Sequence, residues 1–405
     1  MNLIKKEYKS QKNTNQYLQV LICFILGFPT IQGGLITLFR SVIVMPLKLD
    51  SVIAYTLYLA VIFLSIKSIF NRIKLDTIIL LLVLTISYII SLLIEVQEFS
   101  LQMGMQLLFG FIVYTVTRAL RSYDNLIKYL NITLILIILS VIIMFILFPT
   151  EEVTINSYSQ TFGYAILPAV IISFNAFMNN RSMLQIIYFV ASFVLVIIAG
   201  ARGPFVISIL FIMIRCFQGI KSIGEGRKVS STFIVFSIFV FMSIIFMSKI
   251  EDVITTNSFQ DYNRILEMLK KDELLDDEGR NSLKSKSIAL IWDHPFGMGL
   301  GQERVALSDI HKEAVGNYPH NFFLEIFIQY GWILGFTITV SLLYFMFISF
   351  FKNKNVTTKN IWLMFFFIGF LPLMFSGSYI NWPLFWLFLG LTVNIIHENK
   401  LVRKN

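Results

Sequence analysis

The chain has 405 residues, 56% of them hydrophobic and only 14% charged, where a soluble domain carries roughly 25% charged residues. That composition excludes a soluble globular enzyme, and apolar stretches of spanning length recur from end to end, leaving no room for a large soluble domain. The net charge of +9 does not imply a nucleic-acid partner, because the basic residues sit in short segments between apolar stretches, as topology signals do.

The N-terminal stretch MNLIKKEYKSQKNTNQ is basic and polar. The apolar segment after it has no small-residue cleavage site, so it reads as an uncleaved first span. Membrane helices are expected at about 17–38, 51–70, 76–94, 101–117, 126–148, 161–178, 184–200, 204–217, 232–248, 321–351, 361–376 and 381–396, since about 20 apolar residues cross roughly 30 Å of hydrocarbon. The expected fold class is all-α: a polytopic membrane helical bundle of about 12 transmembrane helices. It forms one integral membrane domain over 1–405, with one long helical periplasmic loop at 249–320. Cys23 and Cys216 lie far apart in apolar segments, so free thiols are expected.

Charge sets the expected orientation. With a cytoplasmic N-terminus, 21 of the 33 basic residues fall in inner segments, and only Arg40, Lys48 and Arg202 fall in short outer loops. The rest lie in the long outer loop, which the positive-inside rule does not count. Both termini are therefore expected in the cytoplasm. Within 249–320, Tyr262, Ile265, Leu266 and Leu269 recur at helical spacing and suggest an amphipathic surface helix. The run Asp272–Glu278 reads as a solvated turn.

Few residues in the outer segments can carry chemistry. His320 stands in Tyr318-Pro319-His320-Asn321, directly before a long apolar run. Pro319 ends what precedes it and Asn321 is a good N-cap, so His320 is expected at the outer N-terminus of the tenth helix. A helix of about 30 residues is about 45 Å long, more than the bilayer core, so its first turns should stand above the hydrocarbon. Its N-terminal N–H groups suit phosphate, and a neutral imidazole there can take a proton from a sugar hydroxyl. Arg202 lies in the tight turn Gly200-Ala201-Arg202-Gly203-Pro204, where a guanidinium can grip a lipid pyrophosphate bidentately or simply anchor the interface. Arg280 follows Gly279, and Arg304 follows the glycine-rich run 297–301. No strand precedes those glycines, so a nucleotide loop is rejected in favour of turn chemistry near the membrane surface. Gly331 and Gly335 form a GxxxG pattern whose obvious role is close helix packing. No His, Cys and carboxylate cluster has metal-ligand spacing, so neither a metal nor another cofactor is expected.

Three blocks together resemble the bacterial O-antigen polymerase/ligase superfamily. GARGPFV (200–206) is similar to its Arg-Gly turn. GRNSLKSKSIALIWDHPFGMGLG (279–301) is similar to its Gly-Arg opening followed by His-Pro and a glycine-rich turn. YPHNFFLEIFIQYGWILG (318–335) is similar to its His-Asn helix start. The resemblance implies metal-independent glycosyl transfer from a glycan on undecaprenyl pyrophosphate. It implies a catalytic histidine at His320 and pyrophosphate-binding arginines at Arg202 and Arg280. Arg304 joins that set, with Asn321 and Glu325 in support. Where the family often has an acid just before the first glycine of the third block, this chain has Gln329-Tyr330, and the nearby acid is Glu325.

Within that resemblance a polymerase, joining a growing glycan to a lipid-linked repeat unit, is preferred on size and sequence diversity. A ligase delivering glycan to lipid A-core, or transfer to protein, are the alternatives. The expected partners are lipid-linked donor and acceptor, membrane lipids and a chain-length regulator protein, with no nucleic acid. A flippase of lipid-linked sugars is the reading from another class. It fits less well, because ion-driven transporters place ionisable residues at mid-membrane, and the charges here cluster at span ends.

Overall fold

The computed structural model describes residues 2–42, 73–94, 100–147, 160–199, 201–222, 278–308, 318–353 and 355–402, with positions 56, 60, 63 and 66. The spans expected at 51–70 and 232–248, the amphipathic helix near Tyr262 and the Asp272–Glu278 turn lie wholly or largely outside these residues. The elements in chain order are α1 (Asn2–Val42), α2 (Leu75–Ile94), α3 (Ser100–Arg118), α4 (Leu126–Leu147), α5 (Gln160–Asn180), α6 (Met183–Ile198), α7 (Arg202–Ser222), α8 (Glu278–Asp293), the short α9 (Gln302–Ala306), α10 (Phe322–Phe351), α11 (Val356–Phe365) and α12 (Pro383–Val402). No strand occurs among the described residues, and seven helices there are long and apolar enough to cross a membrane. The protein is an all-α, multi-pass membrane chain. On α2, Ile79, Leu82, Ile86 and Leu93 are all exposed, a distribution that only hydrocarbon surroundings make stable.

The chain divides into two compact units. Unit 2 comprises residues 27–50 and 130–276. In it α5 packs on α6 and α7. Gly163 permits this, since a Cβ there would come within 2.9 Å of the Ala201 Cβ. Small residues that let backbones approach are the main attractive device where lipid removes the hydrophobic drive. Phe174 fills the space between, with ring centroids 4.9 Å from Phe189 and 6.3 Å from Phe211. Arg202 opens α7 here and is half-buried. Cys216 in this unit and Cys23 in the other are buried free thiols.

Unit 1 comprises residues 1–26, 51–129 and 277–405. Its centre is α12 against α3, brought close by two glycines. A Cβ on Gly390 would meet the Tyr114 carbonyl at 2.8 Å, and one on Gly110 would meet the Trp386 ring at 2.4 Å. The span expected at 361–376 is not one regular helix. It runs as α11, then a π turn over Phe366–Phe370, then a 3₁₀ turn over Leu371–Met374. The π turn brings Trp362, Phe366 and Phe370 into a stack, at 5.3 and 5.6 Å between successive rings. The 3₁₀ turn contains Pro372, which has no N–H to continue the α ladder.

The largest departure from expectation is in α10. A 45 Å rod was expected, but Gly331 adopts φ 72° and ψ −172° and breaks the helix. A Cβ on Gly335 would lie 3.2 Å from the Phe327 Cα; eight residues along a straight helix separate by about 12 Å, so the chain turns a sharp corner. Residues 322–330 are one short helix and 332–351 another. The second has about the length that crosses hydrocarbon by itself. The GxxxG pattern is thus a hinge glycine and a glycine packed against its own helix's first half.

Candidate functional site

The corner in α10 frees backbone groups that a straight helix would pair, and the turn after α8 takes them up. Met298 N donates to the Ile328 carbonyl at 2.8 Å and Gly299 N to that of Gln329 at 3.1 Å; Trp332 N donates to the Pro295 carbonyl at 2.8 Å. Both partners of this joint must be glycine at the crossing. A Cβ on Gly331 would meet the Pro295 carbonyl oxygen at 2.4 Å, and one on Gly297, at φ 87°, would meet the Gln329 carbonyl oxygen at 2.5 Å. Irregular backbone at membrane depth is tolerable only where protein satisfies it in this way. Trp292 and Phe296 are exposed beside the joint, and Trp292 packs on Trp332 at 4.6 Å, an arrangement suited to the headgroup level. His294, also exposed, contributes its carbonyl to the turn.

The joint sets a polar cluster beneath it. Glu303 on α9 is fully buried, and Glu325 on α10 is 1% exposed. Gln329, one turn beyond Glu325, donates its amide to Glu303 Oε1 at 2.8 Å. Tyr379 donates its hydroxyl to Gln329 Oε1, and Ser378 donates to Glu325 Oε1. Arg304 donates to Ser378 Oγ at 3.3 Å, and its Nε stands 3.9 Å from Glu303 Oε1. The second oxygens of both glutamates are buried without a hydrogen-bond partner. Burial pushes the Glu303 carboxyl upward, against the pull of Arg304 and the Gln329 amide. Burial also holds the Tyr379 hydroxyl neutral, well above its ordinary range.

His320 is tied to this cluster through one ring. Tyr318 lies under the Arg304 guanidinium, 5.8 Å from its centroid, and donates its hydroxyl to the Ser376 carbonyl. The His320 ring packs against Tyr318, tilted by 49°, with centroids 4.3 Å apart. Its backbone sits at φ 52°, a left-handed conformation that costs a non-glycine residue about 1–2 kcal/mol. Such strain persists only where surroundings hold it, and it concentrates at functional sites. Asn321 is the N-cap, as expected, accepting from Phe323 N at 3.0 Å and Leu324 N at 3.2 Å. That cap occupies two of the N–H groups expected to hold phosphate.

The structure therefore brings His320, Asn321, Glu325 and Arg304 together. Arg280 lies in the first turn of α8 in the same unit. Arg202 belongs to the other unit. The residues that sequence reasoning passed over are Glu303, Tyr318, Gln329, Ser378 and Tyr379. The run 297–301 had been read as a turn, which it is, but nothing in its spacing marks Glu303 as buried.

Residues 187–340 match the family model described as O-antigen ligase. The match supports a place for that stretch in the O-antigen polymerase/ligase superfamily. Members are membrane glycosyltransferase-like enzymes acting on lipid-linked glycans. The matched stretch contains His320, Arg202, Arg280, Arg304, Asn321 and Glu325; Ser378 and Tyr379 lie beyond it. No curated protein matches the chain.

Proposed function

We propose that the protein is a polysaccharide polymerase. It transfers a glycan from undecaprenyl pyrophosphate to the lipid-linked repeat unit that extends it, at the outer face of a bacterial inner membrane. The observation that carries this reading is His320, held in left-handed backbone ahead of the α10 cap and packed against the ring that Arg304 covers. An acceptor sugar hydroxyl attacks the anomeric carbon of the donor. The bond from that carbon to the pyrophosphate oxygen breaks, its electron pair leaves with the phosphate, and His320 takes the hydroxyl proton. Arg280 and Arg304 supply positive charge to the departing pyrophosphate, which is already a good leaving group. No metal is required in this scheme, and a chain-length regulator is the protein partner it calls for.

Two experiments test the reading. Purified enzyme given a synthetic lipid-linked repeat unit without added metal should form long-chain product; failure with the lipid-linked unit alone and success with lipid A-core as acceptor would instead make it a ligase. In a deletion strain, surface polysaccharide should shrink to a single repeat on core. Bare core with accumulated long lipid-linked chains marks the ligase, and repeats retained on the cytoplasmic leaflet mark the flippase. Reporter fusions after Lys270 and after Lys354 should report opposite sides of the membrane, the first outside.

A further inference from the structure

Two buried carboxylates and one guanidinium occupy the cluster beneath His320, and their charges do not balance. Glu303 and Glu325 arrive on different elements and are 0% and 1% exposed. Arg304 reaches both: Glu303 directly, and Glu325 through the Ser378 hydroxyl. Each carboxylate has one oxygen hydrogen-bonded and the other, Oε2, buried with no hydrogen-bond partner. The remaining groups facing the pair are Gln329, Tyr330 and Tyr379, all neutral as amide or phenol. Among the described residues Arg304 is the one cation acting on the two acids. The same guanidinium also covers the Tyr318 ring, against which His320 packs.

Two ionised carboxylates here would leave one buried negative charge uncompensated, at a cost of several kcal/mol. Like charges sharing a dry site resolve this by keeping a proton. We propose that Glu303 and Glu325 hold one proton between them and act as a positioning pair for Arg304, and through Arg304 for the Tyr318–His320 contact. This rests on the reading of His320 as the residue at the chemistry. Glu303 is the anionic member, because Arg304 adjoins it and the Gln329 amide donates to it; Glu325 carries the proton. In that state the cluster is neutral and Arg304 keeps its face on Tyr318. Loss of the proton adds a second anion below the guanidinium and draws it off the ring, so His320 loses its support. Turnover therefore falls on the alkaline side, separately from the acid-side fall expected of an imidazole base.

The test begins without substrate. Infrared spectra of the purified full-length protein in nanodiscs should show the carbonyl band of a protonated carboxyl at neutral pH. The band should be lost in Glu325→Gln and in Glu303→Gln, since either remaining carboxylate is then balanced by Arg304. A wild-type protein lacking the band, or one whose band survives in both variants, overturns the proposal whatever the enzyme's reaction proves to be. Because the wild-type measurement needs no substitution, misfolding of a variant cannot hide the answer. Turnover supplies the second reading. The alkaline fall in kcat should vanish in Glu325→Gln while the acid limb stays. The double Gln variant, which strands the guanidinium, should lose at least about tenfold more kcat than either single one. An unchanged alkaline limb in Glu325→Gln refutes the positioning role. Absence of polymer from the wild-type enzyme with the band present refutes the functional reading and leaves the shared proton standing.

Discussion

Unit 1 holds two clusters of charge, one at the start of α2 and the other around α9 and the start of α10, and they are built to different rules. At one end Arg118 donates Nε and Nη2 to Asp76, at 2.7 and 3.0 Å, and Nη1 to Asn394 at 2.8 Å. Lys74 donates to the Arg118 carbonyl and to Asn394, and Tyr114 donates to Asp76. Asn394 in turn donates to the Leu120 carbonyl and the Tyr123 hydroxyl. Both Asp76 oxygens and the amide of Asn394 are engaged. At the other end Glu303, Arg304 and Glu325 each keep an atom without a hydrogen bond. A closed network ties spans together. The open network leaves buried polar atoms that hydrogen bonds within it do not satisfy.

Substitutions should separate the two ends. The largest effect is expected at the open end. His320→Ala should lower turnover by about 10²–10⁴-fold, the usual contribution of a general base. His320→Gly should be as inactive yet no less stable, because glycine adopts φ 52° freely. Thermal unfolding in detergent alongside turnover checks both, and wild-type-like turnover by His320→Ala would remove the base. Arg118→Ala, at the closed end, should instead act through folding. Its side chain is 3% exposed while that of Asp76 is 36% exposed, so the loss should fall near the low end for a broken buried pair, about 3 kcal/mol. It should appear as reduced yield and melting temperature with near-normal turnover per folded molecule. Gly331→Ala should cost about 2 kcal/mol or more, since the backbone is left-handed and the added Cβ meets the Pro295 carbonyl; it should depress stability and turnover together. Asn321→Ala should have the mildest effect, about 1 kcal/mol from the lost cap. A drop in kcat by Arg118→Ala as large as that by His320→Ala would erase the distinction between the clusters.

Much of this was legible in the sequence. Spans announce themselves because hydrocarbon demands a long apolar run, and Asn321 announces its cap because few side chains can accept from a helix's first amides. His320 stood out by its place between a proline and that cap. The corner at Gly331 was not legible, since apolar residues flank it on both sides, Ile326-Phe327-Ile328 before and Trp332-Ile333-Leu334 after, and hydropathy does not register a change of direction. Glu303 was equally hidden. It sits among polar loop residues and is buried only because the α10 corner and the α8 turn close over it. Ser378 lies 53 residues from Glu325, a separation across which one sequence carries no pairing signal. Two of the three expected arginines could be ranked by neighbouring glycines, but what Arg304 touches depends on all these distant parts.

The joint between residues 294–301 and the α10 corner also constrains how the protein is made. The turn leaves the ribosome before its socket, so Met298 N, Gly299 N and the Pro295 carbonyl have no partners until Gly331 and Trp332 have followed. The helix from 332 to 351 must be handed to the bilayer in a direction different from that of the short helix before it, since the chain turns at Gly331. Assembly of the site is therefore a late event of biogenesis. A nascent chain arrested before Trp332 would hold Arg304, Glu325 and His320 and still lack the fold that gathers them.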